Sequence, residues 1–184
     1  MIAVIDYGAS NLRSVMHAMG HLQVDAHVAD TPGGLQGADA IILPGVGAFG
    51  AGMDQVRARG FEAPVKAAVA AGIPLLGICL GMQFLFEVSE EMGTHTGLGL
   101  LPGRVVRFPD EALLAQDCKI PHMGWNQLHR TRDTPLLDGV QAGDYTYFVH
   151  SFYCAPDDDA DVLARTDYGL DFTSIVGREN VFGV

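Results

Sequence analysis

In the first half of the chain the apolar positions fall into short blocks separated by stretches with helical spacing. Ile2 to Ile5 reads as a buried strand ending at Asp6-Tyr7-Gly8-Ala9-Ser10-Asn11. Leu12, Val15, Met16 and Met19 then repeat as one face of a helix, which Ser10 or Asn11 can cap and Gly20 can close. Gln23 to Val28 reads as a second strand and Thr31-Pro32-Gly33-Gly34 as a turn. Ala38 to Leu43 is a third strand, running into Pro44-Gly45-Val46-Gly47-Ala48-Phe49-Gly50. Helical stretches follow, broken near Gly60 and resuming from Pro64 to Ala71. Ile73-Pro74-Leu75-Leu76 leads a further buried strand, and Met82 to Glu87 reads as the start of a helix. Strands alternating with helices through short connections predict a parallel sheet covered on both faces.

The second half changes character. Leu100, Val105, Val106 and Phe108 suit a strand pair within Gly97 to Phe108, and Thr146 to Tyr153 forms a strong strand. Cys118 to Leu128 holds Pro121, Gly124 and the only tryptophan, Trp125. Pro156 to Asp161 is an acidic loop, read as a solvated turn. Phe172 to Val176 and Asn180 to Val184 read as two short strands around Gly177-Arg178-Glu179. The expected fold is α/β: a mostly parallel central sheet flanked by helices, with a β-rich, hairpin-containing second half.

The chemistry gathers at Gly77-Ile78-Cys79-Leu80-Gly81, between a strand and a helix. This is the layout of a nucleophile elbow with sulfur in place of the serine oxygen. Side chains at the two flanking positions would collide with the neighbouring strand and helix, so glycine is favoured at both. The helix N-terminus is expected to aim its N–H groups at the sulfur and lower the thiol pKa below its usual value of about 8.5. The N–H of Leu80 is placed to donate to an oxyanion formed when Cys79 attacks a carbonyl. The loop Pro44-Gly45-Val46-Gly47 also leaves a parallel strand at its carboxyl end, where open α/β sheets hold their sites. A peptide flip there lets the N–H of Val46 or Gly47 serve as second oxyanion donor. A cysteine nucleophile needs a base. Of His17, His21, His27, His95, His122, His129 and His150, only His150 ends a strong strand near the site, and it reads as a structural hydrogen-bonding residue.

Charge and composition narrow the partners. With 48% hydrophobic and 18% charged residues the 184-residue chain can bury a large core, and its net charge of −11 disfavours nucleic acid and anionic membrane. Three cysteines (Cys79, Cys118, Cys154), with no metal-binding spacing, predict a reducing compartment, no disulfide framework and no metal. The N-terminus meets Asp6 at once and is read as a first strand rather than a signal peptide, and the longest apolar region, Gly72 to Phe86, is too short to span a bilayer. A cytoplasmic location without a cofactor is expected.

The combined motifs resemble a family. Leu75-Leu76-Gly77-Ile78-Cys79-Leu80-Gly81-Met82-Gln83 is similar to the signature of class I (triad) glutamine amidotransferases. Asp6-Tyr7-Gly8, Asn11 to Val15, Leu43 to Phe49, Gly97 to Leu100, Pro121-His122-Met123-Gly124-Trp125-Asn126 and Tyr147-Phe148-Val149-His150-Ser151 resemble, within that class, the glutaminase subunits of imidazole glycerol phosphate synthase. The resemblance spans residues 2 to 184. It implies that Cys79 attacks the side-chain amide of glutamine, with Leu80, Val46 and Gly47 as the oxyanion hole. Gly47, Gln83, Ser151 and Phe152 would hold the substrate.

Ammonia would pass to a (βα)8-barrel cyclase partner that makes imidazole glycerol phosphate and AICAR in histidine biosynthesis, and cyclase ligands would switch the glutaminase on. Asn11, His122, Met123, Trp125, Asn126 and Tyr147 match positions at that interface or along the ammonia route, and aromatic residues and Met suit an interface. Ser10 departs from the family's usual glycine. The resemblance also implies a Gln-Phe-His-Pro-Glu segment directly after Val184, carrying the base and its orienting carboxylate. The single amidotransferase domain, residues 1–184, is therefore expected to lack its C-terminal segment, to hold Cys79 alone of the triad and to be inactive by itself. Two alternatives stand beside this reading: a non-catalytic regulatory or scaffold subunit, and a sibling glutaminase serving another synthase.

Overall fold

A computed structural model describes residues 1–110 and 118–184. The first half builds β1 (Ile2–Ile5), α1 (Leu12–His21), β2 (Ala26–Ala29), β3 (Ala40–Gly45), α2 (Phe49–Ala58), α3 (Glu62–Ala70) and β4 (Leu75–Cys79). Next come α4 (Leu80–Phe84), β5 (Phe86–Ser89), β6 (His95–Thr96) and β7 (Leu101–Arg107). The second half adds β8 (His122–Gln127), β9 (His129–Arg130), β10 (Tyr145–His150), β11 (Phe152–Pro156), β12 (Val162–Asp167), β13 (Asp171–Arg178) and β14 (Val181–Gly183).

The main sheet runs β2-β1-β3-β4-β14-β13-β11-β7-β5-β6, with β12 joined to β13 and β9 to β12. From β2 to β14 neighbouring strands are parallel, and beyond β14 antiparallel pairs take over, with one parallel pair between β5 and β7. β8 and β10 form a separate antiparallel pair. The core beneath the parallel strands centres on Tyr7, Phe49 and Phe84, all fully buried. Phe84 meets the other two rings edge-on, at 5.9 Å from Tyr7 and 5.3 Å from Phe49. Each such burial is worth roughly 1.5–3 kcal/mol over leaving the ring in water. Among the described residues no helix is long and apolar enough to cross a membrane.

Several local expectations change. Gly20 does not end α1; the turn is made by Gln23, at φ 55°. The helix after Cys79 stops at Phe84, because Phe86 to Ser89 are drawn into β5 alongside β7. Gly97 to Phe108 holds one strand, β7, rather than a pair; its partners come from β5 and β11. Thr146 to Tyr153 is divided at Ser151, where the chain crosses from the β8–β10 pair to the main sheet. The acidic loop is more than a solvated turn: Asp161 is 2% exposed and bonds the Arg178 guanidinium at 2.7 Å, while Asp159 pairs with Arg165.

Candidate active site

The site is built at the carboxyl ends of β3 and β4. Cys79 ends β4 with φ 57° and ψ −115°, a conformation that a non-glycine residue holds only where its surroundings enforce it. A Cβ on Gly77 would lie 2.5 Å from the Gly81 carbonyl oxygen, and one on Gly81 would lie 1.8 Å from the Leu43 oxygen. Both contacts are with backbone, so no side-chain adjustment can relieve them. The two glycines therefore let strand, turn and helix close on one another, as the sequence pattern requires. Val184 continues β14 beside this turn: its carbonyl accepts from the Cys79 N–H at 2.7 Å, and its N–H donates to Gly77 at 2.9 Å.

The Leu80 N–H faces the sulfur and favours the thiolate, but burial is the larger influence and pushes the Cys79 thiol up. This reverses the sequence expectation. The side chain counts as exposed by area, yet its surface opens into a cavity walled by protein. Desolvation there outweighs one N–H from a helix only five residues long. In this chain the Cys79 thiolate fraction should therefore rise with pH throughout the neutral range. Alkylation of Cys79 by iodoacetamide, read by peptide mass mapping, should accelerate about tenfold per pH unit between pH 7 and 8.5. A plateau near pH 7 would mean a depressed pKa.

The Pro44–Gly47 segment lies beside this turn, with Gly45 in register with Cys79. The Val46 N–H donates to the Ala9 carbonyl at 3.3 Å, so it is engaged with its own scaffold and must turn to act as an oxyanion donor. Gly47, at φ +94°, supplies the backbone freedom for that turn. Tyr7 is fully buried underneath, its hydroxyl against the Val46 backbone, and burial raises its pKa.

Cys79 opens into a cavity of about 310 Å³, within the range of small-molecule sites. Gln83 and Phe152 line it, and the Gln83 amide donates to the Phe152 carbonyl at 3.4 Å. Ser151 sits at the junction between β10 and β11, with its carbonyl accepting from Phe108. Thr173 and Ser174 of β13 also line the cavity; the sequence reading missed them because their strand is brought there only by the sheet order.

The β8–β10 pair presents an apolar outer face. Met123, Trp125, Tyr145, Tyr147 and Val149 are all more than half exposed, and Trp125 meets Tyr147 edge-on across the pair at 5.7 Å. Tyr145 and Val149 were missed, though they alternate with Tyr147 along β10. His122 and Asn126 share the opposite parity and face inward. His122, 2% exposed, stacks on Tyr168 and Phe148, and Asn126 bonds the Asp167 carbonyl. These two side chains therefore stand behind the face that carries Met123 and Trp125. Asn11 is exposed and caps α1 through Ser14 N–H. His150 is held between His122 and the Phe152 carbonyl. Among the described residues no three His, Cys, Asp or Glu side chains converge to hold a metal.

Residues 3–184 match the family model "Glutamine amidotransferase class-I". The chain is 47% identical to the imidazole glycerol phosphate synthase subunit HisH of Salinibacter ruber, an alignment covering all of this chain and 85% of that one. It is 50% identical to HisH of Desulfitobacterium hafniense, covering all of this chain and 84% of the relative. Among solved structures it resembles a glutamine amidotransferase (TM-score 0.76, 20% identity). It also resembles PurLQS from Thermotoga maritima (TM-score 0.72, 22% identity). It covers the whole of this chain in both cases, and 88% and 84% of those chains. These two likenesses speak for the fold.

Proposed function

Because the chain belongs to the class I glutamine amidotransferases, we propose that Cys79 is the nucleophile that releases ammonia from glutamine for an imidazole glycerol phosphate synthase. The observation that carries this reading is the strained Cys79 turn, with the Leu80 N–H facing its sulfur at the mouth of a ligand-sized cavity. The sulfur adds to the carbon of the side-chain amide, and the charge that develops on oxygen is received by the Leu80 N–H. Once its peptide has turned, Val46 or Gly47 supplies the second donor. Collapse of the tetrahedral intermediate breaks the C–N bond and releases ammonia. Water then cleaves the thioester to glutamate and restores the thiol. Gln83 and the Ser151–Phe152 backbone hold the rest of the substrate.

The proton transfers need a base. In this reading it is carried by the segment that the family places after position 184. The support is geometric: β14 runs parallel to β4, and Val184 is hydrogen-bonded on both sides of the Cys79 turn, so chain continuing from Val184 emerges beside the sulfur. The Val46 N–H bonded to Ala9 supports an idle oxyanion loop that becomes competent once its peptide turns. Glutamate release measured with and without the cyclase and its ligand tests the reading. Release that rises on their addition supports it, and none from a full-length chain in the complete complex overturns it.

The apolar outer face of β8 and β10 is the proposed docking surface for the (βα)8-barrel cyclase. Trp125, 70% exposed, is its largest side chain. Trp125→Ala should weaken cyclase binding in calorimetric titration by about 30-fold, the loss expected for an aromatic anchor. Leu22→Ala, an exposed apolar change elsewhere, should leave it unaltered.

A further inference from the structure

We propose that His122 and His150 are a positioning pair, holding the Phe152 carbonyl, and with it the Gln83 amide, in the geometry that binds glutamine. The inference rests on the glutaminase reading above.

The two imidazoles are cross-strand partners on the inner face of the β8–β10 pair. Their protons can be assigned because the chain of bonds begins at a group that only donates. The Asn126 Oδ1 accepts from the Gln127 N–H at 2.8 Å, which fixes the amide's orientation. Its Nδ2 then donates to the Asp167 carbonyl at 2.8 Å and to His122 Nε2 at 3.3 Å. An amide nitrogen cannot accept, so His122 Nε2 is bare and its proton sits on Nδ1. That Nδ1–H donates to His150 Nε2 at 3.0 Å, which leaves the His150 proton on Nδ1. His150 Nδ1–H donates to the Phe152 carbonyl at 2.9 Å. The same carbonyl accepts from Gln83 Nε2 at 3.4 Å, on the wall of the cavity that Cys79 opens into. Every link runs in one direction, and each requires the one before it.

The surroundings keep both rings neutral, as the chain of bonds needs. His122 is enclosed by Phe148, Tyr168 and Phe172. Burial, reinforced by the neighbouring His150, holds His122 down to about 4, and burial also lowers His150. Neither ring touches the reacting atoms in this account. They act through the Phe152 carbonyl.

His122→Phe keeps a ring in the stack and removes the Nδ1–H. Without that donor His150 is free to move its proton to Nε2 and release Phe152. In the full-length chain bound to its cyclase, KM for glutamine should rise about tenfold while kcat stays within about twofold. That split marks loss of contacts made equally in ground and transition states. His122→Asn, which keeps an N–H near the Nδ1 position, should recover most of the KM. An unchanged KM in His122→Phe, or a loss confined to kcat, would overturn the proposal. Nitrogen-15 NMR of the wild-type protein tests it without a variant. Both rings should carry their protons on Nδ1, and an Nε2–H form of either ring would overturn it. A wild-type complex that releases no glutamate at all contradicts the glutaminase reading instead, a different outcome from a normal KM in the variant.

Discussion

Replacing Cys79 by alanine should abolish glutamate release from glutamine in the complete complex, by at least about a thousandfold. The variant should still fold and still bind the cyclase. The Cys79 side chain is exposed by area at the cavity mouth, and alanine takes over its backbone position without adding atoms. Alanine does keep the unfavourable positive φ, so any change in melting temperature should be small and in either direction. The assay is enzymatic quantification of glutamate at saturating glutamine. Residual turnover comparable to wild type would place the nucleophile elsewhere. Of the other thiols, Cys154 is fully buried with its own pKa raised by that burial and is not poised to substitute, which leaves Cys118, half-buried, as the thiol such a result would point to.

Gly81→Ala should have the largest effect on the fold itself. The added Cβ would sit 1.8 Å from the Leu43 carbonyl oxygen, a backbone atom of β3. Leu43 directly precedes the Pro44–Gly47 loop, so relieving the clash has to move that loop relative to Cys79. We expect a loss of about 3 kcal/mol or more in denaturant unfolding, at the upper end of overpacking costs. We also expect a deep loss of glutaminase activity in whatever protein remains folded. Gly20→Ala supplies the contrast. Nothing lies within 4 Å of its added Cβ, and it falls inside α1, so it should be neutral or stabilising by up to about 1 kcal/mol. If the two substitutions cost the same, close packing of the elbow is not what requires glycine at position 81.

The parts of this site that were legible in the sequence are those decided by local sterics. Gly77 and Gly81 announce the elbow because their constraint comes from the turn itself, and the contacts they make are the ones the spacing implies. The alternation of apolar blocks with helical spacing likewise yields the parallel half of the sheet. What failed was whatever depends on distant chain. The run Phe84-Leu85-Phe86-Glu87 fits helix and strand alike, and it is β7, reached through Leu98, Leu100 and Leu101 bonding back to Phe84 and Leu85, that decides for β5. The direction of the Cys79 pKa depends on how tightly the turn is enclosed, which the motif does not encode. The Val46 N–H finds its partner in Ala9, thirty-seven positions earlier, which only the pairing of β1 with β3 brings near. The inward position of His122 and Asn126 is legible for a different reason. A period of two along β8 separates them from Met123 and Trp125, and that signal was present in the sequence.

The most direct test of Cys79 as nucleophile is covalent capture. The full-length protein in its complex is incubated with a glutamine analogue that carries an electrophilic carbon in place of the amide, and the adduct is located by peptide mass mapping. One adduct is expected, on the peptide containing Cys79, suppressed by excess glutamine and missing from Cys79→Ala. An adduct on Cys118, or none on Cys79 in a complex that is releasing glutamate, would contradict it.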